Sequence, residues 1–168
     1  MAITTGSWSN AAYKSTAAST AVSNTVTETN FDTNYSIPAA SLTAGTIVRV
    51  RWQGIATATN STDTLTIRLK LGSTTVLASA AVDVANSDIF AGQATLIFRT
   101  VGASGTFVAM GLMSDPGAQG VAVKARSMAS TAVDTTAALT LAVSAEWSVA
   151  NAGNSCRLDV MEVEVLAA

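Results

Sequence analysis

Apolar and polar positions alternate along most of the chain, and this alternation predicts short β-strands. The segment Thr64–Leu71 reads TLTIRLKL, so its four aliphatic side chains share one face and its polar side chains share the other. In the segment Thr46–Gln53, the side chains of Val48, Val50 and Trp52 fall on one face in the same way. A period of two with one apolar face is typical of a strand that is buried on one side.

Further strands are predicted in six later segments, which are separated by clusters of turn-forming residues. They cover residues 75–80, 92–101, 106–113, 121–128, 137–149 and 156–166. The apolar face of the fifth segment is predicted to run from Leu139 to Val149. In the last segment the apolar phase changes between Val160 and Met161, which predicts a β-bulge or a switch of sheets. Roughly eight to ten short strands without a helical period predict an all-β fold, an antiparallel β-sandwich or jelly roll.

The first 21 residues lack a sustained period and are rich in Ser, Thr and Ala. We interpret residues 1–21 as an extended N-terminal arm and residues 22–168 as a single jelly-roll-like β domain. Trp8 and Tyr13 are the candidate anchors of this arm, because an aromatic side chain in an arm needs a pocket on its own domain or on a neighbour. A floppy terminus is the alternative interpretation. These residues do not have the basic head followed by an apolar run that is typical of a signal peptide, so none is predicted.

The composition argues against catalysis. The chain has no histidine, one cysteine and 12% charged residues, so it cannot contain a Ser–His–Asp or Cys–His site. We predict no enzymatic activity, no catalytic or metal-binding residues and no cofactor. Cys156 is predicted to be a small buried residue rather than a reactive thiolate, for which only Arg157 would be an adjacent cation.

Charge and hydropathy limit the partners. The net charge is −2 and the nine basic residues are scattered, so the basic surface that binds nucleic acid is missing. No stretch approaches the roughly 20 apolar residues of a membrane-spanning helix. We therefore expect neither a nucleic-acid nor a membrane partner.

Two sets of oxygen-bearing side chains are candidates for a catalytic site or a calcium site. Glu162 and Glu164 project from the same face of the last strand, about 7 Å apart, and a carboxylate pair can hydrolyse glycosides. A solvated strand face is the preferred interpretation, because catalytic acids usually come from separate elements around a cleft. Side chains that suit calcium lie in predicted loops, without the spacing of a calcium-binding loop: Asp63, Asp83, Asn86, Asp88 and Asp115.

Two long segments resemble a known class of proteins. The segments IPAASLTAGTIVRVRWQGIATATNSTDTLTIRLKLGSTTV (37–76) and DTTAALTLAVSAEWSVANAGNSCRLDVMEVEVL (134–166) are similar in texture and strand order to small virion proteins of tailed bacteriophages. Such proteins resemble the jelly-roll decoration, or cement, proteins of phage heads, which are typically trimers, and others of this texture are tail or fibre components. The resemblance implies no catalytic residues.

The resemblance and the composition together predict a non-enzymatic capsid decoration protein that stabilises the outside of a phage head. The implied partners are the major capsid protein and further copies of the chain in a homotrimer. The implied location is the capsid surface of a virion, after synthesis in the host bacterial cytoplasm. The alternative is a tail fibre or spike domain that binds a host surface glycan. Such a domain would expose aromatic side chains, whereas Trp52, Phe98 and Trp147 fall on apolar phases and are predicted to be core residues.

Overall fold

The computed structural model describes residues 11–60, 62–116 and 124–167, which form strands, turns and loops. Twelve strands lie in these ranges: β1 (Ala11–Lys14), β2 (Val22–Ser23), β3 (Thr29–Ile37), β4 (Ile47–Thr57), β5 (Thr64–Leu71), β6 (Thr74–Ala78), β7 (Val82–Asp83), β8 (Asp88–Thr100), β9 (Gly105–Met113), β10 (Lys124–Val133), β11 (Leu139–Trp147) and β12 (Ser155–Leu166). The described residues include no helix that is long and apolar enough to cross a membrane.

The strands form two antiparallel sheets. The larger sheet has the strand order β1-β12-β4-β8-β9-β10, with β2 also paired to β12. The smaller sheet has the order β3-β11-β5-β6, with β7 paired to β5. The apolar faces of both sheets meet in one core. The prediction of an all-β, antiparallel β-sandwich is therefore confirmed.

The core is filled by the side chains that the alternation placed inside. The largest fully buried ones are aromatic and aliphatic: Trp147, Phe31, Phe90, Phe98, Phe107, Ile37, Leu65, Ile67, Leu69, Leu71, Leu96 and Met113. The rings of Phe98 and Phe107 pack with their centroids 5.9 Å apart. Burial of each such side chain contributes about 1.5–3 kcal/mol. The prediction that Trp52, Phe98 and Trp147 are core residues is confirmed.

Most predicted strands have the expected positions, and the ends differ. β5 spans the predicted segment Thr64–Leu71. β11 stops at Trp147, and the side chain of Val149, predicted to lie on the apolar face, is exposed instead. The reason is that the backbone turns away from the sheet after Trp147, at a bend that begins with Ser148.

A β-bulge in β12 confirms the predicted irregularity, but it lies before Val160 rather than after it, so the side chain of Val160 is exposed. The pairing register of β12 with β4 shifts between Leu158 and Val160. Gly54 of β4 lies opposite this irregularity, and a Cβ atom there would collide with the carbonyl oxygen of Arg157 and the ring of Phe90. After the bulge the side chain of Met161 points into the core. The glycine thus allows the two backbones to approach closely enough for the bulge to form.

The described part of the predicted arm pairs with β12 and forms the edge of the larger sheet. β1 pairs with β12 in an antiparallel register. The backbone N–H of Ser15 donates to the Met161 carbonyl and that of Ser19 to the Leu158 carbonyl. The hydroxyl groups of the same two serines accept hydrogen bonds from the N–H groups of Met161 and Leu158, each at 2.9 Å. Residues 11–19 therefore satisfy part of the edge of β12.

Candidate interaction face

The outer face of the larger sheet carries a regular array of side chains. Arg49 and Arg51 project from β4, and their register partners on β12 are Glu164 and Glu162. On the other side of β4, Arg51 is paired in register with Gln93 of β8. We call this surface the open face; it comprises Arg49, Arg51, Gln93, Thr95, Met110, Leu112, Val160, Glu162 and Glu164. Side chains of one sheet face repeat every second residue, so all of them point away from the core.

The charged groups of the open face make few contacts with the rest of the chain. Arg49 lies 3.9 Å from Glu164 and its side chain is 53% exposed. Arg51, Gln93 and Glu162 form no side-chain hydrogen bond or ion pair with any residue that the structure describes. Exposed ion pairs of this kind contribute little to stability. These groups are therefore available to a partner.

Large apolar side chains are also exposed on the open face. Met110 is 65% exposed, Val160 50% and Leu112 40%. Met110 and Leu112 border a shallow groove of about 640 Å³ in front of β4, β8, β9 and β10. Leu112 and Val160 border a second groove of about 480 Å³. Met and Arg are enriched in protein–protein interfaces relative to other surfaces. The open face therefore combines exposed apolar side chains with two arginines.

The outer face of the smaller sheet is different, because a loop covers it. Glu28, in the turn before β3, reaches over Ser144 of β11, whose side chain is fully buried. The Ser144 hydroxyl donates to Glu28 Oε1 at 2.6 Å, and Lys70 Nζ lies 2.9 Å from the same oxygen. Arg68 Nη1 lies 3.8 Å from Glu28 Oε2 and 2.6 Å from Glu146 Oε2, the latter an ion pair without hydrogen-bond alignment. We call these five residues the ion cluster.

The ion cluster lowers the pKa of its central carboxyl group. Partial burial of Glu28 alone would raise its pKa. The hydrogen bond from Ser144, the hydrogen bond and charge of Lys70 and the charge of Arg68 together outweigh that effect and bring the pKa below its usual value. The charges of this face are therefore neutralised within the chain.

Tyr13, one of the two candidate anchors of the arm, packs against its own domain. It lies on β1, half-buried against the core, and its ring centroid is 6.2 Å from that of Tyr35. Its role as an anchor of the arm stays a prediction. The other candidate anchor, Trp8, lies outside the described residues.

The structure also places Cys156 and the two glutamates of the last strand. Cys156 is buried, as predicted, and burial raises the pKa of its thiol to about 12, against a smaller opposing effect of the nearby Trp147. At neutral pH it is a neutral thiol. Glu162 and Glu164 lie on the open face beside the arginines, on a sheet surface that does not enclose a substrate.

The oxygen-bearing side chains of the loops are used in loop structure. Asp63 is buried and accepts hydrogen bonds from the side-chain amides of Asn151 and Asn154. The carboxylate of Asp88 accepts a hydrogen bond from the backbone N–H of Ala85 at 2.6 Å. Asp115 accepts one from the N–H of Ala80. Within the described ranges, no three acidic or cysteine side chains come together as metal ligands.

The open face was not predicted from the sequence, although the apolar residues of β9 indicate it. In β9 the inward phase is Phe107, Ala109 and Met113, and the outward phase contains Met110 and Leu112. Apolar residues on both phases of a strand that is covered on one side leave an apolar strip exposed. The regular alternation of β4 and β5 indicates only which side chains face the core.

The comparisons with known proteins do not identify a family. No protein-family model and no curated protein matches the sequence. Among solved structures, a seed lectin isoform of Lotus tetragonolobus has a TM-score of 0.41 and 9% sequence identity, over 83% of this chain and 80% of the lectin chain. A likeness at this level carries no functional argument.

Proposed function

We propose that the chain is a non-enzymatic structural protein of a tailed-bacteriophage virion. In this proposal it attaches to the outside of the phage head and stabilises the shell, as a homotrimer. The observation that carries the proposal is the open face, where exposed Met110, Leu112 and Val160 border charged groups without partners among the described residues. The similarity of residues 37–76 and 134–166 to phage virion proteins supports the same class of function.

A decoration role makes modest physical demands on such a face. A small domain that is repeated over a shell needs little affinity in each contact, because many contacts act together. A protein that binds the assembled shell and not its loosened form stabilises the shell by mass action. A trimer matches the three-fold positions of a capsid, because each copy then presents the same surface.

A glycan-binding fibre domain is the rival proposal, and the aromatic side chains favour it less. Sugar rings usually stack on exposed aromatic rings. None of the described aromatic residues is fully exposed. Two are half-buried and six are buried: Tyr13 and Tyr35 in the first group, and Phe31, Trp52, Phe90, Phe98, Phe107 and Trp147 in the second. The open face offers aliphatic, amide and charged groups, which suit a protein surface better than a sugar.

The experiment that tests the proposed function is quantitative mass spectrometry of purified virions of the phage that encodes the chain. A copy number comparable to that of the major capsid protein is expected. Particles that lack the chain should release DNA at a lower temperature, and added purified chain should restore the resistance to heat. A copy number comparable to that of tail proteins would overturn the proposal in favour of a fibre.

A pair of variants connects the function to the open face. Met110→Asp should reduce occupancy of the shell, because it places a charge in the exposed apolar strip. Thr140→Asp on the exposed surface of the smaller sheet adds the same charge elsewhere and should leave occupancy unchanged. Equal occupancy for both variants would show that the open face does not contribute.

A further inference from the structure

We propose that the β4–β12 part of the open face binds a second copy of this chain, related by a two-fold axis that runs along the strands between β4 and β12. Met110 and Leu112, on β9, lie outside this contact. This inference rests on the proposed function only in treating the open face as a protein-contact surface. Both copies would use the same residues, as a two-fold contact between identical subunits requires.

The register of β4 and β12 makes the open face complementary to itself. Arg51 is paired with Glu162 and Arg49 with Glu164, so opposite charges stand at the same height on adjacent strands. Rotation about the proposed axis exchanges the two strands and keeps the height. Arg51 then faces Glu162 of the partner subunit, and Arg49 faces Glu164 of the partner subunit. Facing sheets lie about 10 Å apart, a gap that an Arg and a Glu side chain can bridge together.

The charges also exclude the other simple orientation. A two-fold axis across the strands would place β4 on β4 and β12 on β12. Arg49 would then face Arg51 of the partner subunit, and the two glutamates would meet in the same way. Like charges in contact are unfavourable, whereas complementary charges fix the register of two surfaces. The charge pattern therefore selects the axis along the strands.

Apolar side chains continue the match at one end of the charged rows, and an apolar and an amide side chain lie at the other. Leu166 is paired in register with Ile47 at one end, and both are half-buried on the outer side. The exposed Val160 is paired with Gln53 at the other end. The axis that brings the charges together places Leu166 on Ile47 of the partner subunit. Burial of these aliphatic groups supplies an attraction that does not depend on salt.

The expected contact is small. The overlap covers about nine residues along each of β12, β4 and β8 and the four residues of β1, or about 500 Å² per copy from the standard strand dimensions. A total of about 1,000 Å² is at the lower limit of specific interfaces. Association should therefore be weak in dilute solution and should strengthen where copies are held close together, as on a shell.

The two-fold contact differs from the contact that builds a trimer. A trimer repeats a head-to-tail contact around a three-fold axis, whereas the open face would join two such units or two single chains. The proposal thus predicts assemblies with an even number of chains, dimers or hexamers, when the protein is concentrated.

The first test is the solution mass of the native full-length chain, measured by light scattering and sedimentation over a range of concentrations. An even number of chains is expected at high concentration, and the assembly should weaken as salt rises from about 0.05 to 0.5 M, because exposed charges are screened. A mass of one or three chains at all concentrations would overturn the proposal, and so would an assembly that salt does not weaken.

The second test uses two charge reversals, Arg51→Glu and Glu162→Arg. Each alone places like charges opposite each other across the axis. The dissociation constant of the two-fold assembly should therefore rise at least tenfold in each variant. In a 1:1 mixture, the two negative groups at positions 51 and 162 of one variant face the two positive groups at the same positions of the other, and a mixed assembly should form. Repulsion within one chain cannot be relieved by mixing, so recovery identifies a contact between copies.

Arg99→Glu is the matched control. Arg99 is an exposed arginine of β8, and it is not one of the paired arginines and glutamates of β4 and β12 beside the axis. It should assemble like the native chain. Circular dichroism of each variant checks that the sandwich is retained; Arg51 and Glu162 have no described side-chain partners, so their replacement should not unfold it. Folded variants that fail to recover on mixing overturn the proposal. If recovery fails while the native chain still attaches to the phage head, the proposed function stands without this contact.

Discussion

The outer faces of the two sheets carry similar residues in very different states. On the smaller sheet, Arg68 and Lys70 are held by Glu28 and Glu146 over the buried Ser144. On the larger sheet, two arginines and two glutamates stand in register with one long contact of 3.9 Å between Arg49 and Glu164. One face is completed by its own chain, whereas the other retains groups that a partner could use.

The difference arises from one loop. The turn before β3 carries Glu28 across the smaller sheet, and that single carboxylate contacts three side chains of β5 and β11. Among the described residues, no loop crosses the rows of Arg49 and Arg51 in the same way. Similar strand sequences therefore give either a stabilising cluster or a candidate binding surface, depending on what folds over them.

Among the variants that are not controls, the largest effect is expected for Gly54→Ala, at the bulge beside the open face. The new Cβ would collide with the carbonyl oxygen of Arg157 and the ring of Phe90, which cannot both move away. We expect a loss of about 2–3 kcal/mol in the free energy of unfolding, measured with urea.

Gly72→Ala is the control for this prediction. Gly72 has a φ of +58°, but a Cβ there meets no atom closer than 3.9 Å. Its replacement should cost only the backbone term, about 1 kcal/mol. Equal losses for the two variants would show that close packing at Gly54 does not matter.

Truncation of one glutamate on each face tests the comparison directly. Glu28→Ala leaves the Ser144 hydroxyl and Lys70 without their common acceptor, so we expect a loss of about 1–2 kcal/mol in unfolding free energy. Glu162→Ala should change that free energy by less than about 0.5 kcal/mol at protein concentrations too low for self-association. Equal effects of the two changes would contradict the distinction between the faces.

The pH dependence of stability should follow Glu28. Its pKa is lower in the folded chain than the ordinary value of 4.5, so its contribution is fully present above that value and is lost as the pH falls through the folded pKa. The difference in unfolding free energy between the native chain and Glu28→Gln should therefore be constant near neutral pH and shrink in acid. Asp32 and Asp134, whose pKa values are also lowered by hydrogen bonds from Thr20 and Thr136, cancel in this difference. A difference that does not change with pH would contradict the assignment.

The smallest effect is expected for Met110→Ala on the open face. Its side chain is 65% exposed, so its loss should change the free energy of unfolding by less than about 0.5 kcal/mol. Met113→Ala on the same strand is the control; that side chain is fully buried and its truncation should cost about 2–5 kcal/mol. Thermal unfolding of the two variants side by side measures both values.

The candidate face was only partly visible in the sequence. The outward positions of β4 follow from their period, and Glu162 and Glu164 were expected on a solvated face, whereas Val160 was expected on the apolar phase with Leu158 and is exposed. Met110 and Leu112 were not recognised, because a run of apolar residues on both phases of β9 does not say which phase the second sheet covers. The pairing of Arg51 with Glu162 depends on the neighbour relation of β4 and β12, which lie far apart along the chain.

The sequence by itself determined most of the strands and most of the core residues, because a period of two assigns each side chain to a face without reference to the rest of the fold. It could not decide which face remains open. Ile47–Thr57 and Thr64–Leu71 both present an apolar and a basic face. Only the tertiary structure brings Glu28 over one of them and β12 beside the other, since these contacts depend on strand order and loop path, which local alternation does not encode.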